Sequence, residues 1–151
     1  MSEPVLDRAS MQRYLDGVPF LRTLGVTLAA CDADSVTLAL EPSPALLNTW
    51  QIAHGGVLMS LLDAAQAAAA RAQGGGRGVV TVEMKVNFMQ PGRQGLQAIG
   101  RILHRSTTLA FCEGEVRDTA GQLVAKAMGT FKYLRALPAG RQVVHERPGR
   151  L

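Results

Sequence analysis

Cysteine is scarce in this 151-residue chain, and so are aromatic residues and long apolar runs. Cys31 and Cys112 stand alone, too few for a disulfide framework or a thiolate metal cluster. Both are expected to be reduced, which fits a cytoplasmic protein. His54, His104 and His145 lack metal-ligand spacing, so no metal is expected. The N-terminus carries Glu3, Asp7 and Arg8 and has no apolar core of a secretory signal. Asp63 interrupts the longest apolar run, which excludes a membrane-spanning helix. A Gly-x-Ser-x-Gly elbow is missing too, which removes the α/β serine hydrolases.

What remains is an ordinary globular composition. Hydrophobic residues make up 47% and charged residues 19%, enough apolar side chains for one self-sufficient core and too many for disorder. The formal net charge of +4 comes in good part from Arg135, Arg141, Arg147 and Arg150 near the C-terminus. Residues 138–151 read as a solvated basic tail behind a single domain of residues 1–137. Basic residues without interleaved aromatics or a recognisable motif do not make a nucleic-acid surface. An anionic small ligand bearing phosphates stays compatible with the charge.

Periodicity gives the layout. Val5–Leu15 reads as a short amphipathic helix ended by Gly17 and Pro19. Strands are expected at Leu24–Ala30 and Ser35–Leu40, around the turn Asp32-Ala33-Asp34. Pro42 and Pro44 force a loop carrying Asn48. A long helix runs from about Gly55 to Gln73 and stops at Gly74-Gly75-Gly76. Four strands follow: Val79–Gln90, with Val80, Val82, Met84, Val86 and Phe88 on one side, then Leu96–His104, Thr108–Arg117 and Leu123–Leu134. Short turns between consecutive strands imply an antiparallel sheet that buries one face against the single long helix, an α+β architecture.

The stretch Asn48 to Asp63 carries the chemistry. A loop amide precedes a His54-Gly55-Gly56 turn, which opens the long helix, and one carboxylate follows inside it. Glycines let the backbone approach a ligand closely, and a helix start offers unpaired N–H groups with partial positive charge. Those parts suit a developing oxyanion, and Asp63 is the only acid nearby that could activate a water. At 100° per residue, Val57, Leu58, Leu61, Leu62 and Ala65 form the core stripe. Gly56, Met59, Ser60, Asp63, Gln66, Ala67 and Ala70 fall opposite. No Lys, Arg or Glu lies between Gly55 and Ala70, so that face is expected to meet another backbone and to leave Asp63 poorly hydrated. His54 reads as a turn residue capping the loop or as a proton carrier. Trp50 could serve in the core or in a pocket wall.

The chain resembles hotdog-fold acyl-CoA thioesterases of the phenylacetate-pathway and 4-hydroxybenzoyl-CoA type from roughly Phe20 to Leu134. The resemblance rests on Asn48, on His54-Gly55-Gly56 starting six residues later, and on Asp63 nine residues past the His. A second block, Thr81 to Pro91, matches the family strand whose Ser or Thr lies eighteen residues past the Asp. What this implies is an antiparallel sheet wrapped around one central helix, in a homodimer or a tetramer built as a dimer of dimers. It also implies hydrolysis of an acyl-CoA to free acid and CoA, without metal or organic cofactor. By the same resemblance, the Gly55 N–H and Asn48 would polarise the thioester carbonyl and Asp63 would be nucleophile or general base. Thr81 would orient the water, and His54 would support the loop or contact the carbonyl. Gly56 and Trp50 would border the substrate. Many members have glycine where this chain has Gln51, so the loop after Asn48 is expected to differ. Two rivals are a non-catalytic acyl-CoA-binding module and an acyl-thioester hydratase or dehydratase. The latter would need a His/Asp or His/Glu pair, and it fits the His-Gly-Gly spacing poorly.

Overall fold

A computed structural model describes residues 5–146. Helix α1 spans Arg8–Asp16, with Asp7 as its cap: the Asp7 carboxylate accepts from the Ser10 N–H at 2.7 Å. A second helix, α2 at Pro19–Leu24, occupies part of the chain expected as loop and strand. Pro19 opens it and Gly25, in the left-handed region at φ 79°, closes it. Pro19, expected to end the first helix, instead opens a second. Strand β1 therefore begins later than expected, at Thr27–Cys31, and β2 covers Val36–Leu40. The Arg8 guanidinium donates to the Leu28 and Ala29 carbonyls and ties α1 to β1.

After a single 3-10 turn at Pro44–Leu46, the long helix α3 runs Gly55–Gln73, with the expected bounds. The strands β3 (Gly78–Phe88), β4 (Leu96–Arg105), β5 (Leu109–Arg117) and β6 (Leu123–Leu134) follow in the expected order, β6 with the expected bounds and the others with ends shifted by one or two residues. Six strands form one antiparallel sheet in the order β1-β2-β4-β5-β6-β3, so β3 is an edge strand eleven residues long. Helix α3 lies against the sheet, and Leu61, Leu62, Ala65 and Ala68 are fully buried between them. Gly100 of β4 makes this approach possible. A Cβ there would collide with the Ala65 carbonyl, which only glycine avoids.

Two sequence expectations fail in the core. Gln66 and Ala70, assigned to the open face of α3, are completely buried. Gly114 of β5 and Gly129 of β6 lie against the Gln66 side chain, and Ala70 clusters with Phe131 and Tyr133 of β6. The uniform alternation along β3 also breaks. Pairing with β6 shifts between Thr81 and Glu83, leaving Val82 as a bulge residue that is 58% exposed. A bulge adds one residue and resets which side chains face inward. Val79 and Thr81 face α3 before it; Met84 and Val86 pack on the core after it.

The stretch read as a basic tail begins inside a hairpin of β7 (Leu137–Ala139) and β8 (Gln142–Val144). Arg147 and Arg150 lie outside the described residues. No helix among the described residues is long and apolar enough to cross a membrane.

Candidate active site

The loop before α3 is held by its own backbone. Leu47 bridges Ala53, the Asn48 N–H donates to the Ile52 carbonyl at 2.9 Å, and the His54 N–H donates to the Leu46 carbonyl at 2.9 Å. The Asn48 side-chain oxygen accepts from the Trp50 N–H at 2.9 Å and from the Ile52 N–H at 3.4 Å. This turn uses the amide's acceptor and leaves its NH₂ as the group to offer a ligand. Gln51 closes the turn at φ 57°, the only non-glycine residue with positive φ among those described. The conformation is one that glycine adopts without cost, and here a glutamine bears it. Trp50 projects from the same turn with 81% of its surface exposed.

His54 caps α3. Its Nδ1 accepts from the Gly56 N–H at 2.9 Å, so the neutral ring carries its proton on Nε2. That bond occupies the Gly56 donor. The Gly55 N–H has no acceptor among the described residues. Gly55 and Asn48 both line a cavity of about 280 Å³ also walled by Leu58, Phe88, Pro91 and Gly92. A loop amide and the helix-start glycine therefore share one hollow.

Asp63 lies two turns further along α3, half-buried. The Thr81 hydroxyl, held toward the helix just ahead of the Val82 bulge, donates to Asp63 Oδ1 at 2.7 Å. The pair opens on a different cavity, of about 470 Å³, with Met59, Ser60, Tyr14 and Met84 in its walls. Asn48 and Gly55 are absent from this second lining, and Asp63 and Thr81 from the first. The candidate residues of one chain thus fall in two separate cavities, and Trp50, His54 and Gly56 line neither.

Other candidates fall away. Cys112 is buried in the core, and desolvation pushes its thiol up to about 12, far from a usable thiolate. His104 stacks on Phe111 at 6.1 Å between ring centroids and does not pair with Cys112 across the strands. No group of three His, Cys, Asp or Glu side chains converges among the described residues. Sequence reasoning missed Tyr14, Phe88 and Met84 as cavity walls. Met84 and Phe88 fall inside the Thr81–Pro91 block without being singled out in it, and Tyr14 arrives from α1, whose packing no local pattern gives.

A family model described as the thioesterase superfamily matches residues 51–125, a span that includes His54, Asp63 and Thr81. A Deinococcus radiodurans protein, provisionally named an esterase, is 30% identical over 120 residues, covering 78% of this chain and 80% of that one. The chain belongs to the thioesterase superfamily. Thioester hydrolysis is the chemistry of this superfamily. The medium/long-chain acyl-CoA thioesterase YigI of Escherichia coli is 24% identical over 137 residues, covering 80% of this chain and 88% of the relative. A Saccharolobus solfataricus protein, also provisionally named an esterase, is 36% identical over 85 residues, and the chain spans 61% of its length. Among solved structures, the Escherichia coli PaaI protein from the phenylacetic acid degradation operon superposes with a TM-score of 0.74 at 24% identity. That match covers 80% of this chain and 88% of PaaI. The sheet curled around α3 is the hotdog fold of that superfamily.

Proposed function

We propose that this thioesterase-superfamily chain hydrolyses an acyl-CoA thioester to the free acid and CoA. The Asp63–Thr81 hydrogen bond carries the reading, because it fixes the one carboxylate on the open face of α3. In the reaction, the thioester carbonyl oxygen accepts from the Gly55 N–H and the Asn48 NH₂. Preorganised donors of this kind stabilise the negative charge that develops on that oxygen. Asp63 takes a proton from water as the water oxygen adds to the carbonyl carbon. The tetrahedral adduct then collapses, the carbon–sulfur bond breaks, and the CoA thiolate takes the proton from Asp63. Direct attack by the Asp63 carboxylate is the variant of the same scheme. Thr81 holds Oδ1, which leaves Oδ2 for the reacting group. His54 keeps the helix start in place through its bond from Gly56. Written in this way, the reaction needs no metal or organic cofactor. Similarity to YigI supports CoA as the thiol.

The scheme calls for two copies of the chain. Gly55 and Asp63 stand eight residues apart, about 12 Å along the helix axis, and a short carboxylate does not bridge that gap. A two-fold partner facing the small-residue stripe of α3 would set Asp63 of one copy beside Gly55 of the other. The exposed edge of β3 offers that partner a strand to pair with. A panel of aromatic, short aliphatic and long aliphatic acyl-CoAs tests the activity by release of free thiol. We expect turnover with at least one class. Release no faster than the uncatalysed rate across the whole panel would overturn the proposal.

A further inference from the structure

The β7–β8 hairpin has no part in this reaction, yet it walls a third cavity, of about 220 Å³. Leu137, Val144 and Glu146 supply one side of it and Arg71 and Gly78 another. Tyr14, Val79 and Val80 line both this cavity and that of Asp63, so the two spaces share a wall. The residues fall in order along two elements. On α3 they are Asp63, Ala67 and Arg71, one turn apart; on β3, running the opposite way, Thr81, Val79 and Gly78. Between Asp63 and Arg71 the floor is alanine and valine. At the far end, Arg71 Nη1 donates to both Glu146 carboxylate oxygens, at 2.8 and 3.0 Å, and its guanidinium lies 4.2 Å from the Tyr14 ring centre. The Arg71 side chain is only 15% exposed.

We propose that this groove holds the acyl chain and that the β7–β8 hairpin, latched by Glu146 on Arg71, is its end wall. The inference rests on the thioesterase reading above and adds the acyl class to it: an unbranched aliphatic chain of limited length. The groove begins at the group that activates water, which is where a thioester's acyl carbon must sit. Its small apolar lining suits a methylene chain. Arg71, already paired with Glu146, closes the groove, and Arg135 and His145 stand with it at the hairpin end, beyond the apolar floor. From Asp63 to Arg71 the helix rises eight residues, or about 12 Å, which sets the room available.

The test is kcat/KM for straight-chain acyl-CoAs of increasing length, measured on the full chain and three variants. Wild type should lose activity beyond a limiting length. Val144→Trp should move that limit to shorter chains, with about a 10-fold loss for each methylene denied room and little change for the shortest substrates. Val144→Ala and Glu146→Ala should extend the limit. Should the tryptophan variant misfold, Val144→Ala still decides, because Val144 is 47% exposed and its truncation leaves the Arg71–Glu146 pair in place. A length limit that stays put in every folded variant would overturn the end-wall proposal while leaving the thioesterase reading intact. Turnover of aromatic acyl-CoAs alone would do the same. Silence toward every acyl-CoA would sink both together.

Discussion

Thr81 Oγ1 and Asp63 Oδ1 are 2.7 Å apart, and the hydroxyl crosses from edge strand β3 to helix α3 to make the contact. Without the bulge at Val82, the strand could not keep both Thr81 and Met84 turned toward the helix side. The hydrogen bond holds the carboxylate in one orientation, and it does so from a separate element eighteen residues further along the chain.

Removing that donor should disturb the carboxylate without removing it. For Thr81→Val, kcat should fall roughly 10- to 100-fold, the range for losing a hydrogen bond to a charged group. Thr81→Ser should restore most of the rate, since the hydroxyl returns. Steady-state kinetics of both variants checks this. Equal losses in the two would assign Thr81 a packing role only.

Asp63→Asn keeps the shape and deletes the base. Its kcat should drop on the order of 10²–10⁴-fold with a smaller change in KM. A rate within a factor of about three of wild type would contradict the assignment.

Gln51 carries a left-handed backbone at φ 57°. Replacing it by glycine should stabilise the chain by about 0.5–1 kcal/mol, because the penalty for a Cβ in that region exceeds the extra entropy of glycine in the unfolded chain. A urea or thermal melt measures it. Destabilisation would mean that the glutamine side chain contributes more than its backbone costs.

Burial pushes the Cys112 thiol up to about 12 and also raises Cys31. A raised thiol pKa means less thiolate, so at pH 8 Cys112 should hold about one part in 10⁴ as the reactive form. Alkylation of the native protein should leave Cys112 unmodified, and unfolding should expose it. Rapid labelling of Cys112 in the folded state would contradict the core packing.

How much of this was legible beforehand depended on whether a signal was local. The bounds of α3 and β6 followed from glycine stops and alternation, which act within a few residues. The closeness of Asn48 to Gly55 was local in the same way, since one loop leads into the helix start, while His54 and Gly56 bond to each other outside that cavity. Helix α2 was missed because Pro19 and Gly25 mark a helix only if the six residues Pro19–Leu24 pack, which is a tertiary matter. The burial of Gln66 depended on Gly114 and Gly129, which are distant in sequence. The Val82 bulge left no trace in a run of alternating apolar residues. Reading through it gave the wrong facing for Val80 and Val82, while Thr81 was singled out by family resemblance alone. The unusual loop expected at Gln51 proves to be a tight turn in which a side chain stands where glycine would be easier.

The two separate cavities in one chain make the most direct test a complementation. Asn48→Ala and Asp63→Ala should each be inactive alone, and the two should be unfolded and refolded together. Random pairing makes about half the dimers mixed, each with one intact composite site and one doubly damaged site. The account predicts recovery of about a quarter of the wild-type activity. Mixed dimers that form, as shown by differential tagging, and yet remain as inactive as the parents would contradict it: Asp63 would then not act across the two-fold on a thioester held at Gly55.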